Sequence, residues 1–289
     1  MNVIIRLPRI CDYEELIGVL AKNCASDEAV DALVFEIPTG GFLTTPAVAL
    51  LGAWGILWGA KGRRIEITGD SDVCNYLSRM NLFDVLKISF VEVFQRHPEA
   101  GRFIPLTLVD DNASCKRAVD SVCDLIIHQC DNARDFLPAV EWSVNETVDN
   151  ILRHADASVP GVVCAQYFPA MKRLDVSICD MGCGLKASLQ EAMELPSHSA
   201  AIAKAIQRGV TRNPEVGQGN GLAGTLEIAN SNGGQFHLWT GNAVFRVNDQ
   251  QISEEQFSVS IPGTGLYLSL DTNRPVDLLD TWIGKPSCN

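Results

Sequence analysis

The pattern of apolar and polar positions differs between the first and second parts of the chain. The first part alternates short β-branched runs with stretches of helical spacing. The runs lie at residues 2–6, 32–37 and 63–69. Strands that alternate with helices are typical of β-α-β units with a parallel sheet. The first part is therefore predicted to be an α/β domain over residues 1–98.

One long apolar segment, residues 38–60, contains no charged side chain and is long enough to be considered as a membrane span. Glycines and Pro46 interrupt it, and strands are predicted on both sides of it. A helix that connects two parallel strands is buried against their sheet, so a crossover helix is favoured over a membrane helix. No contact with a membrane is expected.

The second part of the chain begins with helices and ends with strands. Residues 103–109 are predicted as a strand, 113–129 and 136–155 as helices, 162–168 and 173–180 as a hairpin, and 233–241, 242–248 and 263–270 as later strands. This order is typical of an α+β sandwich, in which a helical layer covers a mixed, mainly antiparallel sheet. That domain is expected at residues 103–272, before a C-terminal tail at 273–289.

Composition narrows the classes of function. The 289 residues are 46% apolar and 20% charged with a net charge of −12, so a folded protein is expected and nucleic acid is a poor partner. A triphosphate remains compatible with this charge, because oriented amides and one metal ion can hold it. The ten cysteines include no C-x-x-C pair, which leaves no legible zinc site. Without a recognisable secretory segment, a cytoplasmic location with reduced thiols is expected.

The first candidate site motif is NETVDNILRHA at residues 145–155. Glu146, Asn150 and His154 are spaced four residues apart, so a helix places all three on one face. That face is polar where a face packed in a core is apolar. Taken alone, Glu146 or His154 is more often part of a solvated stripe than of a site.

The second motif is DVSICDMGCGL, in which a predicted strand ends at Asp180 and Gly182 and Gly184 follow. Glycines after a strand let bare backbone approach a ligand beside a fixed carboxylate. Ordinary turns use the same residues, so this motif alone is weak.

The third motif is GQGNGLAGTLEIANSNGG, in which Gly217, Gly219 and Gly221 lead into a helix predicted at 222–229. The first amides of a helix, together with its dipole, favour an anion. No Walker lysine accompanies these glycines, so this motif is also weak by itself.

Together and in this order, the three motifs resemble the N, G1 and G2 boxes of the GHKL superfamily, which includes DNA gyrase, heat-shock chaperone ATPases, mismatch-repair proteins and histidine kinases. The resemblance covers about residues 103–272 and includes GTGLYLSL, whose Thr264 matches the last strand of that ATP-binding domain. It implies that the chain binds ATP and Mg²⁺.

The resemblance also implies a role for each residue. Asn150 would be a Mg²⁺ ligand, Glu146 the general base, and Asp180 the acceptor for the adenine amino group, while Gly182 and Gly184 would give room for the base. The implied nucleotide-binding residues are Asn150, His154, Asp180, Gly182, Gly184, Arg212, Gly217, Gly219, Gly221, Leu222 and Thr264. The polar segment 185–217 corresponds to the ATP lid, where Arg208 and Arg212 are candidate phosphate contacts.

The first 90 or so residues resemble, in their order of elements, the STAS domain of anti-sigma-factor antagonists. The Asp-Ser-Ser-Gly turn of that family is replaced here by Thr44, Thr45, Pro46 and Ala47. Proline fixes the backbone and removes an amide, which suits recognition of another protein, or of the ATPase domain of a second chain, better than phosphate acceptance. Thr45 as a phosphate acceptor is the alternative.

A STAS-like domain ahead of an ATPase closest to the anti-sigma serine kinase branch implies bacterial partner switching. The chain is expected to transfer the γ-phosphate to water or to a protein Ser or Thr; the alternative is a nucleotide-gated binding module with little turnover. A regulatory protein is the expected partner of the STAS-like domain, and a homodimer is compatible with it. His128 lies 22 residues before Asn150, too close for a separate phosphoacceptor hairpin, so histidine autokinase activity is not expected.

Overall fold

The computed structural model describes residues 2–24, 30–96, 102–131, 133–190, 192–211 and 219–276, without the side chains of Cys24 and His154. We call residues 2–96 the first unit. Its strands are β1 (Asn2–Arg6), β2 (Ile10–Cys11), β3 (Ala32–Ile37), β4 (Phe42–Leu43) and β5 (Arg64–Gly69). Its helices are α1 (Tyr13–Cys24), α2 (Thr45–Ala60), α3 (Ser71–Arg79) and α4 (Leu82–Val85).

The first unit contains a parallel three-stranded sheet, as the sequence pattern predicts. The strands pair in the order β1-β3-β5, with Ile5 opposite Phe35 and Phe35 opposite Ile67. Alternation along the strands buries Ile5 and Phe35 and leaves Ile4, on the other face, 58% exposed. One face of this sheet is therefore covered by helices.

Helix α2 forms from the charge-free segment and is buried. Thr44 precedes it in an extended conformation, and Pro46 occupies its first turn, where a missing amide costs no hydrogen bond. Most of the helix is buried, including Leu50, Leu51 and Trp54. The predicted crossover helix is confirmed. Among the described residues, no helix is long and apolar enough to cross a membrane.

We call residues 102–276 the second unit. Its strands are β6 (Phe103–Val109), β7 (Gly161–Phe168), β8 (Arg173–Cys179), β9 (Gln235–Asn248) and β10 (Gln251–Asp271). Its helices are α5 (Asn112–Gln129), α6 (Ala133–His154), α7 (Gly184–Gln190), α8 (His198–Ala205) and α9 (Gly221–Asn232). The strands pair in the order β6-β7-β8-β10-β9, and every neighbouring pair of described strands is antiparallel rather than mixed.

The two strands predicted at 233–241 and 242–248 are one continuous strand, β9. Gly241 adopts a φ of 58° inside it, and the register with β10 shifts at the same level. The Gly-Asn pair that indicates a turn in the sequence therefore produces a bend, because the chain keeps its pairing with β10 on both sides.

The two units share one layer of helices. The inner face of the second sheet packs on α5, α6 and α9, through side chains such as Val122, Val140 and Ile228. Its outer face packs on the first unit, because Cys164 and Tyr267 belong to the same apolar cluster as α1 and α2. The layers are therefore the first sheet, then α1 and α2, then the second sheet, then α5, α6 and α9.

The turn at residues 44–47 lies inside this shared layer. It was expected to face another protein or a second chain, but Thr45, Pro46 and Ala47 are buried within the same chain. The thiol of Cys164 in β7 donates to the Thr45 carbonyl oxygen at 3.7 Å. The small and apolar residues at the start of α2 match the outer face of the second sheet, which explains the burial.

Candidate functional site

A cavity of about 480 Å³ opens on the inner face of the second sheet, between α6, α7 and the start of α9. The end of β8 and residues 210–211 complete its border. Eight of the residues singled out by the motifs line it: Glu146, Asn150, Asp180, Gly184, Gly219, Gly221, Leu222 and Thr264. The fold thus brings residues that are far apart in the sequence to one place.

Helix α6 presents Glu146 and Asn150 to the cavity, and both side chains are partly buried. The opposite side of the helix carries Val144 and Val148, which are buried in the second core. Packing of that apolar side fixes the rotation of α6, so the polar face predicted from the spacing is held toward the cavity.

Burial changes the acidity of Glu146. Removal from water raises the pKa of its carboxyl group, nearby Asp149 raises it further, and Arg153 lowers it. The carboxylate also contacts the start of α9, where a Cβ added to Gly221 would lie 3.0 Å from Oε2. A raised pKa makes this carboxylate a stronger proton acceptor than an ordinary glutamate.

Asp180 lines the cavity directly after β8 and is 7% exposed. Burial raises the pKa of its carboxyl group to about 6, although hydrogen bonds from the backbone of Gly182 and Thr264 lower it. The Gly182 amide donates to Oδ1 at 2.8 Å. This bond fixes the orientation of a carboxylate that can accept a further hydrogen bond from a ligand.

Gly182 itself does not line the cavity, contrary to the expectation that it gives room for a base. A Cβ at this position would overlap the carbonyl oxygen of Ala155, which follows α6. The amide of Cys183 donates to that same oxygen at 2.6 Å. Glycine is required here because the turn passes directly against the end of α6, which sets the position of Asp180 relative to that helix.

Helix α9 begins at the cavity in a tight loop. Gly219 has a φ of 66°, and a Cβ there would lie 2.6 Å from the backbone of Val210, so both conformation and space require glycine. The Asn220 side chain does not cap the helix, since its Oδ1 accepts from the amide of Gly209 at 3.3 Å. The amides of a first helical turn have no partner within the helix, and the positive end of the dipole lies here.

The segment predicted as a lid, residues 185–217, is described at 185–190 and 192–211 and includes most of α7 and all of α8. Arg208, a candidate phosphate contact, is instead paired with Glu227 of α9, where its Nε donates to Oε1 at 2.8 Å. It does not line the cavity, whereas Val210 and Thr211 do.

Three of the residues singled out by the motifs cannot be placed. Arg212 and Gly217 lie outside the described residues, and the side chain of His154 is not described.

The motifs did not single out several polar residues near the cavity, among them Arg153 and Thr240. Arg153 lines the cavity and pairs with Asp149, with 2.7 Å between Nε and Oδ2. Its position three residues after the predicted metal ligand was the available signal. Thr240, which is buried, supports the site from β9: its hydroxyl accepts from the amide of Leu185 at 3.1 Å and donates to the carbonyl of Gly263 at 2.9 Å. A threonine within a strand gives no such signal, because its partners come from two other segments.

The lining combines an apolar part with an acidic part. Its apolar side chains include Ile151, Ile178, Leu189, Leu238 and Leu266. Among the described lining residues, the acids Glu146, Asp149 and Asp180 face a single base, Arg153. An anionic ligand would therefore need further positive charge, which the start of α9 and a divalent cation can supply.

Comparison with known proteins adds no family assignment. No protein-family model matches the chain, and no curated protein matches its sequence.

Proposed function

We propose that the protein binds Mg-ATP in this cavity and acts as a GHKL-type ATPase or protein serine/threonine kinase in bacterial partner switching. The observation that carries the proposal is that residues from three separate motifs line one cavity of about 480 Å³. This volume falls within the range of small-molecule sites.

The base of the nucleotide matches the apolar part of the cavity. Ile178 and Leu238 offer apolar contact to an aromatic ring, and Asp180 directly follows β8, the strand that carries Ile178. The carboxylate of Asp180 accepts a hydrogen bond from the amino group of adenine. Guanine presents a carbonyl oxygen at that position, so the two acceptors would repel each other.

The phosphates match the start of α9, where the amides after Asn220 and the helix dipole favour negative charge. Within the described residues, no group of three or more His, Cys, Asp or Glu side chains could hold a metal by itself. Mg²⁺ commonly keeps water and phosphate oxygens as ligands, so the single amide oxygen of Asn150 fits an ion that arrives with the nucleotide. When bound, the ion would neutralise phosphate charge beside Glu146 and Asp149.

Glu146 lies one helical turn before Asn150 and touches the start of α9. A carboxylate in that place can orient an attacking water or hydroxyl group toward the terminal phosphate and accept its proton. The raised pKa of Glu146 brings its proton affinity closer to that needed at neutral pH.

A nucleotide-gated binding module with little turnover is the second candidate. It is favoured by the state of the two threonines in the first unit. Thr45 is 2% exposed, and the hydroxyl of Thr44 donates to Oδ1 of Asp12 at 2.7 Å. Neither hydroxyl is presented as a phosphate acceptor, so the first unit matches a binding role better than a substrate role.

A single-turnover assay with γ-labelled ATP and Mg²⁺ tests the proposal. We expect the label to move to inorganic phosphate or to an added protein carrying Ser or Thr, and Asn150→Ala to abolish the metal-dependent binding. Binding without any release of label would favour the second candidate. Absence of nucleotide binding in calorimetry, with and without Mg²⁺, would overturn both.

A further inference from the structure

We propose that the first unit is a built-in partner of the nucleotide site, docked behind Asp180 on the outer face of the second sheet, and that docking and nucleotide binding stabilise each other. This inference rests on the proposed function, because it concerns regulation of the same cavity. It differs from recognition of a separate protein, since the partner is part of the same chain.

The contact between the two units has the character of a protein core. One apolar cluster runs from Phe35 in the first sheet, through α2, to Tyr267 in the second sheet. Gly52 of α2 lies against Leu106, whose Cδ1 would be 2.9 Å from an added Cβ. A large apolar interface restricts the relative motion of two domains, so the docked arrangement is expected to be the dominant state.

A polar anchor fixes the register of this contact. Tyr13 of α1 is fully buried and stacks on Trp239 of β9, with ring centroids 4.4 Å apart. Its hydroxyl donates to Glu14 at 2.8 Å and lies 3.2 Å from Nδ1 of His237. Arg246 of β9 pairs with the same Glu14. Aromatic stacking with a satisfied buried hydroxyl group allows one docking geometry rather than a range of them.

The end of β8 connects this interface to the cavity. Asp180 lines the cavity, whereas its neighbours Cys179 and Met181 belong to the apolar cluster that contains the first unit. On the adjacent strand, Ile261 belongs to the same cluster, and a Cβ on Gly263 would overlap the carbonyl oxygen of Asp180. The residues that hold Asp180 in place therefore belong to the same apolar cluster as the docked unit.

Docking and nucleotide binding should favour each other, because the structure shows both the docked unit and the formed cavity. The first unit is docked and the cavity is formed in the same state. A ligand that fits the cavity of that state binds it better than a state in which the supports of Asp180 have moved, and it therefore stabilises docking. Linkage is reciprocal, so the factor by which nucleotide strengthens docking equals the factor by which the docked state binds nucleotide more tightly than the undocked state. A variant that populates the undocked state should therefore bind nucleotide more weakly.

The same layering excludes the first unit as the acceptor of the phosphate. The cavity opens on the inner face of the second sheet, and Thr45 is buried against its outer face. The sheet separates the two, so the γ-phosphate cannot reach Thr44 or Thr45 while the unit is docked. The first unit then acts as a regulator of the site and not as its substrate.

Hydrogen exchange on the full chain measures whether nucleotide stabilises the docking of the first unit. With Mg²⁺ and a non-hydrolysable ATP analogue, we expect amides of α1 and α2 to exchange about fivefold more slowly, a typical size for coupling between sites. Asp180→Asn, which removes the adenine contact, should show no such slowing. Phosphate located on Thr44 or Thr45 by peptide mass mapping of the folded wild type after incubation with Mg-ATP would overturn the proposal.

Substitutions at two glycines of α2 test the reverse effect, that of docking on nucleotide affinity. Gly52→Leu should push α2 away from Leu106 and weaken Mg-nucleotide binding about fivefold in calorimetry, although Gly52 lies outside the cavity lining. Gly59→Leu should leave affinity unchanged, because nothing lies within 4 Å of its added Cβ.

Wild-type binding with unchanged exchange, or equal affinities of the two folded variants, would overturn the linkage and leave the proposed function standing. No nucleotide binding by the wild type would overturn both. If Gly52→Leu fails to fold, the exchange measurement on the wild type decides the question.

Discussion

The inner and outer faces of the second sheet differ in chemistry although the same strands form them. The outer face is closed by α2, a helix without charge, and forms a core with the first unit. The inner face keeps a cavity of about 480 Å³ lined by three carboxylates. Strand β8 and the residue after it show the contrast most directly, because one buried aspartate there faces the outer side and another faces the inner side.

Asp175 faces the outer side and is satisfied within the chain. It is 3% exposed, accepts from the Ser269 hydroxyl at 2.8 Å, and lies 3.0 Å from Nε of Arg173. Asp180 faces the inner side, where its hydrogen bonds come from backbone amides and an open cavity adjoins it. A buried acid with a charged side-chain partner is accounted for by structure, whereas a buried acid that lines a cavity is a candidate for binding.

The largest effect is expected on the inner face from Glu146→Gln. Nucleotide binding should persist, because the amide keeps the size of the side chain, while turnover should fall about a hundredfold through loss of the base. A phosphate-release assay together with calorimetry separates the two. Glu141 is an exposed residue on the same helix, and Glu141→Gln is the matched control, which should change neither turnover nor binding. Unchanged turnover in Glu146→Gln would contradict the assignment of the base.

The next effect concerns stability and pH. Because burial raises the pKa of Asp180 to about 6, protonation of this group favours the folded state. That contribution is fully present below the unfolded pKa of about 3.9 and is lost as pH rises through 6. Asp180→Asn carries no charge at any pH, so it should be more stable than wild type at pH 7.5, by up to about 3 kcal/mol, and closer to it at pH 5.

Urea unfolding of both proteins at the two pH values measures this difference, and other titrating groups cancel between them. A variant that is less stable than wild type by the same amount at both pH values would show that the charge of Asp180 is not destabilising.

Nucleotide choice should distinguish the two aspartates. The wild type is expected to bind ATP at least about tenfold more tightly than GTP, because only adenine donates to Asp180. Asp180→Asn should weaken ATP and reduce the ratio toward one. Asp175→Asn should keep the ratio, since its side chain lies on the other face. Calorimetric titrations with both nucleotides measure it, and equal affinities in the wild type would remove the adenine assignment.

Much of the inner face could be predicted from the sequence. The spacing of Glu146 and Asn150 requires only a helix, and the position of Asp180 requires only a strand that ends there. The local pattern of apolar and polar residues is enough to predict both elements. The role of Gly182 was not predictable in the same way, because the oxygen that excludes a side chain there belongs to Ala155, which a different element brings into contact.

The outer face was predictable only in part. The charge-free pattern of residues 38–60 indicates burial, but not which surface buries it. The answer depends on the fit between the start of α2 and residues such as Cys164, which lie more than one hundred positions away. Contacts of this kind depend on shape in three dimensions, and a sequence pattern does not encode them locally.

The smallest effects should come from two neighbouring threonines at the start of α2, with opposite signs. The hydroxyl of Thr45 is buried without a hydrogen-bond partner among the described residues. Valine keeps its shape and removes the unsatisfied group, so Thr45→Val should stabilise the protein by about 1 kcal/mol. Thr44→Val removes the hydrogen bond to Asp12, 2.7 Å long, and should cost about 1 kcal/mol. Urea unfolding at neutral pH measures both. If Thr45→Val is destabilising to the same extent as Thr44→Val, the Thr45 hydroxyl has a partner such as a buried water, and the contact between α2 and the outer face is not dry.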